Sequence, residues 1–352
     1  MKSARRFASA KVFCVLVASL VLVPAEAEQT KLRVTLQLPV TGHLGVNLVR
    51  FKEEVGRRTE GALILEIFDN SRLYKDNEAL GAVASGAIEM ATITYQQLTK
   101  QVPAIGIFEQ PFLFNFEALV RAATSPHSEM RILLDKAVLE ATGVRILWWQ
   151  SYGSSVFFSK GRNAKHPLQI RGRKVRVFGE NMMHFTKHCG GSPMLISASK
   201  QYQAVKDGTV DLVMTGITGV DTRELWKVTD TVTRTEHAAL EFVVIINEKV
   251  WQTLPPGNRT AIAEASKKVE QELREQMADI EAKAYAFARS KGMTIHEPSP
   301  DDVAEWRACS VGLLEDYMND AGELGWRLMN AYGRLRKEPC CNAGPAGAFN
   351  LR

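Results

Sequence analysis

An alternation between two hydrophobic periods constrains this chain more than any other feature: a repeat of two residues gives way to a repeat near 3.6, then returns. Leu32, Val34, Leu36 and Leu38 alternate with Arg33, Thr35 and Gln37, the pattern of a strand with one apolar face. PVTGHLG then turns the chain, and Leu44, Leu48, Phe51 and Val55 recur at helical spacing until Gly61, where a residue without Cβ can end the helix. A strand over Leu63–Phe68 follows. Asp76 can cap the next helix, which carries Leu80 and Val83 and closes at Gly86, before a strand over Ile88–Tyr95. Parallel neighbours need a crossover and the helices provide it, so the alternation predicts an α/β fold with a largely parallel sheet.

The plan resumes downstream. Val144–Trp149, Val156–Ser159, Lys174–Phe178, Met194–Ile196 and Leu212–Thr215 read as strands, with helices near Met182–His188 and Lys200–Lys206, and Glu241–Asn247 as a further strand. Residues 258–290 then form one helical pattern without Pro or Gly. At about 1.5 Å per residue such a helix can lie across two small domains and couple them. Residues 301–336 read as mostly helical, weakened by Gly312, Gly322 and Gly325. With 352 residues and 45% apolar composition, two domains around separate cores are expected.

The first residues have another character. Lys2, Arg5, Arg6 and Lys11 precede an apolar run from Val12 to Val23, and Ala25-Glu26-Ala27 follows, the order of a secretory signal cleaved after Ala27. The run is short for a membrane anchor, and no later stretch is long enough. Cleavage removes four cations and one anion, so the formal charge falls from +5 to +2 and nucleic acid is not an expected partner. Cys189, Cys309, Cys340 and Cys341 then remain, without a CxxC pair. Adjacent Cys340 and Cys341 are not expected to bridge each other, whereas a disulfide to Cys309 or to a partner chain stays open.

GxSxG, Walker, HExxH and post-strand GxGxxG motifs are all missing from the sequence. His184, His188 and Cys189 in HFTKHC share a helix face and could chelate a metal, although spacing fixes no further ligand. Trp148 and Trp149, followed by Tyr152, either line an aromatic pocket or fill core. In QIRGRKVRVF, Lys174, Arg176 and Phe178 fall on one side of a strand and Val175 and Val177 on the other. The cationic side faces either an interdomain cleft, where the Arg fork suits a carboxylate, or solvent at a strand edge.

Several stretches together carry a family resemblance: FKEEVGRRTEGALILEIFDNSRL, EALGAVASGAIEMA, FEQPFLFNFEAL, GVRILWWQSYG, IRGRKVRVF, YQAVKDGTVD and VWQTLPPGNRTAIAEASKKVE. In this order and spacing, from Leu32 to about Met318, the chain resembles the extracytoplasmic solute receptors of tripartite ATP-independent periplasmic (TRAP) transporters. The resemblance implies a bilobed periplasmic-binding-protein fold, two α/β domains joined by hinge strands with the long helix bracing both. Domain I is expected over 28–152 plus 241–280, domain II and the C-terminal helices over 153–240 plus 281–336, and a flexible tail over 337–352. Such receptors are periplasmic, use no cofactor and are not catalysts. They trap a small organic acid by hinge closure and deliver it to TRAP membrane permease subunits, with a homodimer left open. A receptor working without a permease, and a periplasmic enzyme using His184 or Cys189, are the alternatives.

The resemblance also implies site residues. The family arginine that grips the ligand carboxylate corresponds to Arg176, in Lys174-Val175-Arg176-Val177. Ser155 stands where the family often has an auxiliary arginine, and Thr215 where it has a ligand-binding asparagine. An aromatic followed by Ser-Glu-x-Tyr is replaced by Ala198-Ser199-Lys200-Gln201-Tyr202. One cation and one aromatic wall fewer imply an acid with a single carboxylate and a bulkier or more apolar body. On the other side of the cleft, His43 with Thr41 and Gly42, Glu78 with Asp76 and Asn77, and Thr94 with Tyr95 are ligand candidates or caps and packing residues, and Phe178 and Trp149 complete the expected lining.

Overall fold

The computed structural model of the chain describes residues 29–342. The signal segment, its cleavage point and the end of the tail lie outside the described residues. In chain order the first half forms β1 Thr30–Leu36, α1 His43–Arg58, β2 Leu63–Phe68, α2 Asp76–Ser85, β3 Met90–Thr94, α3 Glu117–Thr124, α4 Glu129–Thr142 and β4 Val144–Ser159. There follow β5 Lys174–Val177, α5 Glu180–His188, β6 Ser192–Leu195, α6 Gln201–Lys206, β7 Leu212–Gly216, α7 Gly219–Thr222, β8 Thr231–Thr233 and β9 Ala239–Asn247. The C-terminal third is helical: α8 Glu248–Thr253, α9 Pro256–Ser290, then β10 Thr294–His296, α10 Pro300–Ala308 and α11 Leu313–Leu335.

Two sheets share one strand. The path runs β2-β1-β3-β9-β4-β7-β5-β6, with β8 joining β4 and β10 joining β8. The expected parallel pairing holds for β1 with β2 and β3, and for β5 with β6 and β7. It fails in the middle, where β9 runs antiparallel to both β3 and β4, and β4 antiparallel to β7. Strand direction there is set by the return of the chain between lobes, which no local pattern records.

The two strands expected at Val144–Trp149 and Val156–Ser159 are one continuous β4. Polar Gln150, Ser151, Ser154 and Ser155 between them resemble a loop in sequence, but tertiary partners from α1 and α9 anchor the buried interruption. Gln150 Nε2 donates to Asn47 Oδ1 at 2.7 Å, and the Ser154 amide donates to Glu281 Oε1 at 3.1 Å. The ladder slips between Ser151 and Gly153, and Gly153 takes φ 85°, where a Cβ would strike the Glu281 carboxylate. Only glycine suits both demands. Up to Ser154 the strand pairs with β9; from Ser155 it pairs with β7.

Helix α9 spans both sheets as expected, beginning two residues earlier at Pro256. Ile262, Ala265, Val269 and Leu273 enter the core around β1 and α1, while Ala284, Tyr285 and Ala288 pack beneath β7 and β8. Its middle is fixed by buried ion pairs: Arg274 to Glu241 at 3.0 Å, and Glu270 to Arg131 at 2.9 Å. The helical stretch after residue 300 divides at Gly312, φ 94°, into α10 and α11. Although grouped from sequence with the second lobe, α11 packs against α3, α4 and the turns at Pro103–Glu109 of the first.

Cys189 and Cys309 form a disulfide, tying the end of α5 to the end of α10. Cys189 therefore offers no thiolate, which removes the HFTKHC metal set and the cysteine of the enzyme alternative. Cys340 and Cys341 pair with each other, contrary to the expectation for adjacent cysteines.

Candidate ligand site between the lobes

Short β5 places Arg176 by simple alternation. Val175 and Val177 point into the core, and the arginine points to the opposite face. The residue is only 4% exposed, yet its guanidinium is held by backbone carbonyls alone: Nε donates to Ile196 O at 2.7 Å and Nη1 to Met214 O at 2.8 Å. No ion pair involves it among the described residues. Burial first and nearby Arg223 second push its pKa down to about 9, with Asp76 and Tyr152 opposing the shift. Two bonds to fixed carbonyls orient the fork and leave Nη2 for a further acceptor.

Beside it stands a residue that sequence reasoning missed. Arg223, just after α7, is 9% exposed; its Nη2 donates to Thr215 Oγ1 at 2.9 Å and its guanidinium lies 5.7 Å over the Tyr152 ring. Its buried Nε has no protein partner. Gly219, one turn earlier, makes room, because a Cβ there would overlap the guanidinium. The acids next in sequence turn elsewhere: Asp221 is exposed and Glu224 pairs with Lys227.

The first lobe completes the cluster through His43, the first residue of α1, whose ring stands 4.9 Å from that of Tyr152. Its Nε2 is buried and unpartnered, and burial followed by the field of Arg223 pushes its pKa down to about 4. It is neutral at pH 7. The start of α1 nearly touches α7, since a Cβ on Gly42 would lie 3.4 Å from the Thr222 methyl. Tyr152, at the β4 crossing, also keeps a buried hydroxyl without a partner. The cluster thus draws on both lobes and the strand between them, and it is rich in donors.

A groove of about 650 Å³ is lined by Phe178, two residues beyond Arg176, and among others by Asn77, Leu80, Gln96, Gly179 and Leu195. Gly179 of its lining meets Glu109 of the first lobe, because any side chain at 179 would collide with that carboxylate. Burial pushes the Glu109 carboxyl up to about 8, against the stabilising influence of Gln96 and Asn181.

Of the residues expected from sequence, Arg176, Thr215 and His43 come together, and Phe178 lies at the groove. The others are placed elsewhere. Ser155 is inside the second lobe, its hydroxyl 3.2 Å from His237 Nε2, with that imidazole stacked between Phe157 and Phe185. Trp149 is core: its Nε1 donates to Asp135 and Arg131 lies over its ring. Tyr95 packs against Trp149 and Phe108 and donates to Ala239 O at 3.3 Å. Thr94 ends β3 opposite Phe242, half-buried. Glu78 is exposed and caps α2 through the Lys75 amide. Tyr152, not the tryptophan pair, is the aromatic that reaches the cluster.

Residues 39–320 match the family described as bacterial extracellular solute-binding protein, family 7. The chain belongs to that family. The family 7 relatives include the C4-dicarboxylate-binding periplasmic protein DctP of Rhodobacter capsulatus, 27% identical over 81% of this chain and 85% of that one. Among solved structures, DctP7 of Bordetella pertussis, an extracytoplasmic solute receptor binding pyroglutamic acid, matches with a TM-score of 0.82 at 23% identity, covering 86% of this chain and 99% of that one. A TRAP periplasmic solute-binding protein of Sulfurospirillum deleyianum with bound succinate matches at 0.79 and 23% identity, covering 88% and 99%. These likenesses show the bilobed TRAP receptor fold. Family 7 proteins are solute-binding receptors that work outside the cytoplasm, and no helix among the described residues is long and apolar enough to cross a membrane.

Proposed function

We propose that this protein is the periplasmic receptor of a TRAP-type transporter, exported with cleavage after Ala27, which captures a small organic acid by closure of its lobes and delivers it to membrane permease subunits. The observation that carries the reading is the Arg176 guanidinium, buried between the lobes, fixed by two backbone carbonyls and lacking an acidic partner among the described residues. A buried cation is tolerated when something neutralises it, and a ligand carboxylate does so here. Succinate and pyroglutamic acid in the similar receptors support an organic acid as the class of solute.

In this reading one lobe consists of 28–152 plus 241–280 and the other of 153–240 plus 281–336, with α11 returning to the first. The β4 crossing at Gly153 and the return segment before β9 act as the hinge. Closure brings His43 and α7 together over the acid, excludes water and strengthens the charge pair. Truncating one partner of such a pair costs roughly 2–5 kcal/mol, so Arg176→Ala weakens the best acid from a thermal-shift screen by about thirtyfold or more. Arg176→Lys fails similarly, because an ammonium lacks the fork. Titration calorimetry on the purified variants checks both, and wild-type affinity in Arg176→Ala contradicts the reading.

A further inference from the structure

We propose that Arg223 is a second ligand-binding residue and that, with Arg176, it selects acids carrying two anionic groups over matched acids carrying one. The inference rests on the carboxylate-receptor reading above. Ser155 in place of an auxiliary arginine implied a pocket with one cation, but the fold supplies the second from α7 instead of β4. Three features mark Arg223 as built for a ligand and not for solvent. It is nine-tenths buried, Gly219 gives up a side chain to admit it, and Tyr152 offers its ring face as a platform. Its bond to Thr215 Oγ1 orients one Nη, while Nε stays buried and unpartnered.

Charge decides what it binds. Arg176 and Arg223 lie close enough to depress the proton affinity of Arg176, and no acidic side chain pairs with either among the described residues. Asp76 acts on Arg176 from the start of α2, but it is partly exposed and forms no ion pair with either arginine. Burial holds His43 neutral, so it does not compensate. A monoanion leaves one desolvated guanidinium without a counter-charge once the lobes close; a dianion neutralises both. The two forks flank β7, with Met214 O holding one and Thr215 Oγ1 the other, so the second anionic group sits a short distance from the first.

The test uses matched pairs on the purified mature protein: butyrate with succinate, valerate with glutarate, and benzoate with phthalate, followed by calorimetry. At least one diacid is expected to bind about tenfold or more tightly than its monoacid partner, and Arg223→Gln is expected to weaken that diacid by about thirtyfold and shrink the gap to threefold or less. Arg223→Lys, which keeps the charge, retains part of the preference and guards against a folding defect in the glutamine variant. A wild-type protein that prefers no diacid in the panel, or a gap that survives Arg223→Gln, overturns the proposal. Arg176→Ala separates the two readings: loss of both members of a pair upholds the receptor site whatever Arg223 does, whereas retained binding overturns the receptor reading itself.

Discussion

Two groups of buried arginines lie among the described residues, and they differ in their partners. At the middle of α9, Arg274 pairs with Glu241 and Arg131 with Glu270 and Asp135, so every buried cation has a carboxylate of the chain beside it. Between the lobes, Arg176 and Arg223 are buried to a similar degree but bond only to carbonyls and a hydroxyl. The first arrangement is complete in itself and fastens the brace helix to the sheet. The second is incomplete, and its missing acid is what a receptor would collect. Burial alone does not mark a functional arginine; burial without a partner does.

Breaking each group should separate stability from binding. Arg274→Met leaves Glu241 and Glu270 buried with fewer counter-charges, and removing one partner of a buried pair costs about 3–5 kcal/mol, read as a lower midpoint in denaturant. Arg176→Ala removes a charge that had no acid to lose, so its melting temperature should move far less while its affinity collapses. Equal destabilisation by the two substitutions would erase the distinction. Gly153→Ala tests the strand that joins the groups. Its positive φ and the nearby Glu281 carboxylate predict a loss of about 1–3 kcal/mol, also read by denaturant melts, and no change would mean that the crossing tolerates an ordinary residue.

Glu109 gives the most specific effect, confined to one pH window, because it is the acidic counterpart of Arg176: a buried ionisable group without an opposite charge among the described residues. Its carboxyl titrates near 8 in the folded protein, above the ordinary carboxylate range, owing to burial. The folded state therefore holds a proton that the unfolded state releases between about pH 4.5 and 8, and stability falls as pH rises through that window, by no more than about 1.4 kcal/mol per pH unit. Glu109→Gln should flatten that slope. A stability profile indifferent to the substitution would show that the carboxyl is solvated.

Much of this was legible in the sequence because much of it is local. The strand and helix periods through β3, the turn glycines, the length of α9 and the side of β5 that carries Arg176 all follow from neighbours a few residues apart. What failed depends on distant partners. The polar middle of β4 looks like a loop until Asn47 and Glu281 are brought to it by α1 and α9. Register slips at Ile146/Trp148 and Ser151/Gly153 break the count of alternate residues, so face assignments for Trp149 and Ser155 could not be read by parity. Arg223 in GVDTREL carries no local sign of burial; only packing of α7 against Tyr152 and Thr215 reveals it.

The decisive measurement is a crystal structure of the protein with its tightest-binding acid. Its lobes should be closed, with a ligand carboxylate oxygen about 2.7–3.1 Å from an Arg176 Nη and the bonds to Ile196 and Met214 intact. An acid bound elsewhere, with the Arg176 guanidinium touching only its two carbonyls, would contradict the receptor reading.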